Sequence, residues 1–121
     1  MRTPHQRASN RLRDVVDACD ELAPFVDDRT LEDFLADNGL RRITERLLEI
    51  MGEAMAQAIK HNPSLMDQIP NSKAIIGMRN WLIHAYDDID LPMVWETATV
   101  DAPVLAIHLR TLLDARGETD A

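Results

Sequence analysis

The stretch LRRITERLLEIMGEAMAQAIK, residues 40–60, settles the fold class. Ile43, Leu47, Ile50, Met51, Ala54, Ala58 and Ile59 recur at three- and four-residue intervals, which makes one face of a long helix apolar. Gly52 interrupts that helix at a cost of ~1 kcal/mol relative to alanine. Close approach of another backbone is the compensation that makes sense of it. Glu45, Glu49 and Glu53 form an acidic ladder at four-residue spacing. Such a ladder reads as exposed and paired with arginines such as Arg42 and Arg46. The functional alternative is that Glu49 or Glu53 orients a basic residue in a groove.

The segments on either side have the same period. Leu12, Val15, Val16, Cys19, Leu22 and Ala23 predict a first amphipathic helix that ends or kinks at Pro24, with Cys19 a packed core thiol. Thr30 with Asp33 caps a short second helix, Leu31–Ala36, and Asn38-Gly39 breaks it. After the long third helix, Asn62-Pro63 opens a linker over Ser64–Pro70 with one helical turn. Ser72 is the expected cap of a fourth helix from Lys73 to about Ala85. Asp90 before Leu91-Pro92 starts a fifth, which Pro103 kinks or divides near Asp101, and a frayed tail begins at Gly117. No run alternates with period two for long enough to need a strand. The expectation is one all-α domain over residues 1–121, an antiparallel bundle of about five helices with its last helix kinked near Pro103.

Composition narrows the function. The 121 residues are 45% hydrophobic and 28% charged, ordinary globular proportions. No apolar run reaches the ~18 residues of a membrane span. Residues 1–13 do not read as a secretory signal. A single cysteine excludes an internal disulfide and a multi-cysteine zinc site. A cytoplasmic, membrane-free protein is therefore expected. The net charge of −8 argues against broad, nonspecific nucleic-acid binding. That charge is uneven: residues 1–13 hold four arginines and no acid, whereas residues 14–40 hold nine acids against Arg29 alone. A local basic site is compatible with such a distribution.

Most site motifs are absent. The four glycines are scattered, so there is no phosphate loop, and no His-Glu-x-x-His or Glu-x-x-His pattern marks a metal, so neither metal nor cofactor is expected. Ser9, Ser64 and Ser72 read as polar or capping residues, His5 lies in a mobile start, and His61 sits at a helix end where the dipole favours it. His108 reads as a packed or surface residue of its helix. One segment differs: GMRNWLIHAY, residues 77–86, sets Arg79, Asn80 and His84 in an otherwise apolar helix. Arginine is permanently cationic and grips phosphate through a bidentate fork. Histidine titrates near neutrality and carries a proton either way. Asparagine can hydrogen-bond a phosphate, a sugar or the arginine's partner. Together they suit cleavage of RNA by its own 2′-hydroxyl, in which a base removes the proton, a cation stabilises the phosphorane and no metal is strictly required. The structural alternative is an interface ion pair of Arg79 with Glu49 or Glu53, a C-terminal cap at His84 and an amphipathic anchor at Tyr86.

The pattern Arg79-x4-His84-x-Tyr86 resembles that of the HEPN toxins of HEPN/MNT toxin–antitoxin pairs, the HepT-like proteins. Phe34-Leu-Ala-Asp, Arg42 through Leu48-Glu-Ile-Met-Gly-Glu-Ala, and Asp90-Leu-Pro-Met-Val-Trp resemble the same family in matching order, so the likeness spans about residues 5–115. It implies a HEPN-like all-α bundle, a homodimer and a metal-independent endoribonuclease acting as the toxin of a type VII-like pair. It also implies a minimal nucleotidyltransferase as cognate antitoxin, which transfers AMP to the tyrosine, here Tyr86. By position, Arg79 and His84 become the catalytic pair acting on an RNA substrate, and Asn80 a supporting residue. Asp87, Asp88 and Asp90 follow the motif closely, either as solvated loop acids or as part of a partner site for a cation or metal-nucleotide.

Helix geometry independently suggests two chains. At ~100° per residue, Arg79 and His84 lie about 140° apart around a regular helix. Either the helix ends before His84, or a two-fold dimer combines residues of both copies in one groove. Arg79 and Tyr86 share a face if the helix persists. A second functional class remains: a non-catalytic helical subunit that binds a nucleotide or a nucleotidyltransferase partner, which the acidic surface favours.

Overall fold

A computed structural model describes residues 1–84 and 88–120, the last three by their backbone alone. Its helices are α1 (Pro4–Val26), α2 (Leu31–Ala36), α3 (Asn38–His61), α4 (Leu65–Gln68), α5 (Ser72–His84), α6 (Leu91–Glu96) and α7 (Ala102–Asp120). A π-helical turn, Thr97–Asp101, joins α6 to α7. Among the described residues there is no strand, and no helix is long and apolar enough to cross a membrane. The expected all-α antiparallel bundle is the observed architecture, with α3 at its centre between α1 and α5. Cys19 against Met51 marks where α1 and α3 pack.

That central position explains a difference from the sequence pattern. Leu47, Met51, Ala54 and Ala58 are buried as expected, but so are Leu40, Thr44, Leu48, Gly52 and Met55, while Ile43, Ile50 and Ile59 are half-buried. A helix with neighbours on two sides buries a wider arc than a single stripe provides. The same holds for Glu45 and Glu49, which are half-buried rather than fully exposed. Burial pushes the Glu45 carboxyl above its ordinary value, helped by Glu49 and opposed by Arg41 and Arg42.

The helix ends follow local chemistry, with five departures. Thr30 and Asp33 form a reciprocal capping box on α2, and Asp90 accepts from the Met93 N–H at the start of α6. A second capping box, Thr3 with Gln6, starts α1 at Pro4, so His5 lies in its first turn. Pro24 does not end α1; it sits in the last turn, where the helix runs on to Val26 and the Asp27 N–H still reaches the Ala23 carbonyl. Asn38-Gly39 does not form the break: Asp37 alone separates α2 from α3, its carboxylate accepting from the Leu40 N–H at 3.0 Å. Ser72 is the first residue of α5 rather than its cap, and its buried hydroxyl donates to the Met66 carbonyl at 3.3 Å. The helical backbone continues past Gly117 to Asp120, where a frayed tail was expected.

The division near Pro103 takes the form of the π turn. Pro103 has no N–H to offer the carbonyl one turn back, and the Ala102 N–H reaches five residues back to Thr97 instead. Thr97 and Thr99 donate their hydroxyls to the Met93 and Trp95 carbonyls at 3.0 and 2.8 Å, a back-bonding pattern that favours bending. Asn71, in the left-handed region at φ 72°, donates to Asp101 at 2.7 Å and ties the start of α5 to this turn. Phe34 stacks against Trp95 with ring centroids 5.0 Å apart, fastening α2 to α6.

Candidate functional site

Gly52 is what allows Arg79 to stand where it does. A Cβ at Gly52 would lie 2.2 Å from Arg79 Cβ, 2.9 Å from its Cγ and 2.9 Å from the Ile75 carbonyl oxygen. The backbones of α3 and α5 therefore approach closely at this one point, as the glycine suggested, and the arginine stem lies across the gap. From there the guanidinium reaches the edge of α3. One terminal nitrogen is 2.6 Å from Glu53 Oε2 and the other donates to Asn80 Oδ1 at 2.9 Å. Gln57, one turn further along α3, donates to the other Glu53 oxygen at 3.2 Å. Of the two acids suggested for this role, Glu53 holds Arg79, while Glu49 pairs with Arg46 at 3.4 Å.

This cluster is half-open. The Arg79 side chain is 29% exposed and that of Glu53 49%. An exposed pair of this kind contributes little to stability, so its geometry matters more for aim than for strength. Arg79 Nε is buried and has no hydrogen-bond partner among the described residues. Arg79 also forms part of the wall of an open groove of about 1160 Å³ between α1 and α3.

His84 is elsewhere. It is the last residue of α5 and is exposed. Because α5 stays helical through His84, the alternative in which the helix ends first does not apply. Within one chain Arg79 turns toward α3 while His84 points away, in line with the separation of about 140° for a regular helix. Asn80 lies between them, exposed, with its amide oxygen on Arg79. Tyr86 and Asp87 lie outside the described residues. Asp88 is exposed, and Asp90 caps α6. Among the described residues, no three His, Cys, Asp or Glu side chains are grouped so as to hold a metal ion.

Cys19 is buried in the core, its thiol donating to Met51 Sδ at 3.7 Å. Burial pushes that thiol up to about 12, with Asp20 adding to the effect. The sequence reading missed Gln57 and the groove beside Arg79. The unbalanced positive charge of residues 1–13, with Arg7 and Arg11 one turn apart, was the available signal.

Comparison with known proteins shows the family of the chain. The family described as ribonuclease HepT-like matches residues 15–112, which include α5 and both of its candidate catalytic residues. A candidate RNase of Methanocaldococcus jannaschii is 34% identical over 92 residues, covering 76% of this chain and 78% of the relative. Another from the same organism is 33% identical over 110 residues, covering 90% of each. A candidate ribonuclease HepT of Thermococcus cleftensis is 34% identical over 94 residues, covering 78% of this chain and 84% of the relative.

Proposed function

The chain belongs to the HepT-like ribonuclease family, and we propose that it is an endoribonuclease, the toxin of a HEPN/MNT pair, with Arg79 and His84 as its catalytic residues. The observation that carries this reading is the held guanidinium. Arg79, within the matched region, is fixed by Glu53 and Asn80 at the wall of an open groove. In the reaction, His84 takes the proton of an RNA 2′-hydroxyl, and that oxygen attacks the adjacent phosphorus. Charge accumulates on the non-bridging oxygens, where Arg79 stabilises it. The bond to the 5′-oxygen then breaks, and a proton from an imidazolium neutralises that leaving group. The products are a 2′,3′-cyclic phosphate and a 5′-hydroxyl end. Asn80 keeps the guanidinium aimed.

A homodimer through α5 is part of the proposal. On a continuous helix one chain does not bring Arg79 and His84 to a common face, whereas two facing copies can. The exposed side of α5 supports this. Gly77, Asn80 and His84 lie along one stripe, and a Cβ at Gly77 would meet nothing within 4 Å. The monomer therefore gives no packing reason for a glycine that costs ~1 kcal/mol in mid-helix. Around it lie Ala74, half-buried Trp81 and exposed Met93. The partner that neutralises the toxin is a minimal nucleotidyltransferase that transfers AMP to Tyr86.

The test is cleavage of RNA by the purified chain in the presence of a chelator, with Arg79→Ala and His84→Ala each abolishing it. Mixing the two inactive variants then reads the dimer. If each site takes its arginine from one copy and its histidine from the other, an equal mixture recovers roughly a quarter of the parent rate, from one intact site in half of the dimers. No recovery on mixing would refute the shared site, and full activity of His84→Ala would refute the catalytic assignment. Incubation with the cognate nucleotidyltransferase and ATP should add one AMP to the intact mass, and Tyr86→Phe should prevent it.

A further inference from the structure

We infer that the α1–α3 groove beside Arg79 is the track along which the RNA strand flanking the scissile phosphate runs, held by Arg7 and Arg11. Five of the thirteen lysines and arginines of this acidic chain line that one groove. Their placement follows from the packing. α1 runs antiparallel to α3, with Cys19 opposite Met51, so the acid-free start of α1 lies against the C-terminal end of α3. Arg7 and Arg11 therefore face Gln57 and His61, and Arg79 stands further along, beside Glu53.

The groove's acids are segregated. Five acids line the groove as well: Glu21 and Glu49 stand at its other end, Asp17 is level with Glu53, and Asp14 and Glu53 are each engaged by an arginine, Arg11 at 3.2 Å and Arg79 at 2.6 Å. The groove is thus polarised, and a polyanion gripped at Arg79 leaves toward the start of α1. Among the described residues Arg7 has no ion-pair partner, and the Arg11–Asp14 pair is about half exposed, weak enough for a phosphate to compete with it. Arg7 and Arg11 are one turn apart, about 6 Å along the helix axis, a step that successive phosphates of a single strand can match. Single-stranded RNA fits better than a duplex, because the contacts lie on one narrow line rather than across two strands.

This inference rests on the nuclease reading, and the experiment separates the two. The probe is a labelled 12-nucleotide single-stranded RNA bound to the full-length His84→Ala chain, titrated across salt concentrations, with RNA cleavage by the parent measured alongside. Each lost phosphate contact reduces the slope of log affinity against log salt by about 0.7. Arg7→Ala and Arg11→Ala should each show that loss, and the double variant about 1.4, which corresponds to roughly 20-fold weaker binding at 0.1 M salt. Arg29→Ala, with the same charge change beyond the far end of α1, should leave the slope unaltered. Arg7 and Arg11 are exposed helix residues, so the variants should keep the parent's circular dichroism. An unchanged slope while the parent cleaves RNA overturns the track and leaves the nuclease standing. So does an unchanged slope with weakened binding of the cognate nucleotidyltransferase, which would make the groove a protein interface. If the parent neither binds nor cleaves RNA, both readings fall.

Discussion

Replacing Gly52 by alanine is the most demanding check on how the site is built. In a solvent-facing helix this change would stabilise by ~1 kcal/mol. Here the new methyl would lie 2.2 Å from Arg79 Cβ and 2.9 Å from the Ile75 carbonyl oxygen. Ordinary carbon contacts lie near 3.5–4.0 Å, so α5 must retreat by about 1.5 Å at that point. Neither obstacle is the far end of a flexible chain; one is a Cβ and the other is backbone. Overpacking of this kind costs about 1–3 kcal/mol, and rigid neighbours place it at the upper end. Set against the helix preference, the net loss is about 2 kcal/mol, or a fall in Tm of roughly 8 °C for a domain of this size. The retreat also moves the guanidinium away from Glu53, so RNA cleavage should fall more than the folded fraction does. Urea denaturation and cleavage rates on the same preparations measure both. Gly77→Ala is the matched comparison: with nothing within 4 Å of its Cβ, it should gain up to ~1 kcal/mol when dilute enough to be monomeric. A Gly52→Ala chain as stable as the parent would refute the close approach and the reasoning built on it.

Three further outcomes follow from the same geometry. Glu53→Gln should lower kcat roughly ten- to a hundredfold by loosening the aim of Arg79, while KM stays level or drops because a negative charge has left the groove. Glu53→Asp should recover part of the rate, and a parallel rise in KM would contradict the positioning role. Because burial raises the Glu45 carboxyl, the folded chain holds that proton more tightly than the unfolded one. Stability from this group is therefore present below the ordinary carboxylate range and declines as pH rises through the raised value. Glu45→Gln should raise Tm at pH 7 and make little difference at pH 3; equal shifts at both would show that charge is not the cause. With its thiol pushed up to about 12, Cys19 should react with an alkylating reagent at pH 8 only as fast as the chain unfolds, so native labelling in seconds would contradict its burial.

Much of this protein is written locally. The apolar period of residues 40–60, the Thr30–Asp33 and Asp90 caps and the missing N–H of Pro103 depend on residues within about a turn of each other, so sequence alone placed those helices and the bend. The motif on α5 was visible for the same reason, since Arg79, Asn80 and His84 lie within six residues. Gly52 announced that something passes close by, but not what. Only the tertiary structure settled that Glu53, 26 residues before Arg79, is its partner rather than Glu49. Periodicity tells which side of a helix is covered; the crossing of two helices decides which side chains meet across it. The same crossings widened the buried arc of α3 and set the arginines of α1 in the same groove as the candidate catalytic one. Local chemistry misjudged Ser72 for a related reason: its hydroxyl found the Met66 carbonyl, a partner that exists only once the linker has folded back on itself.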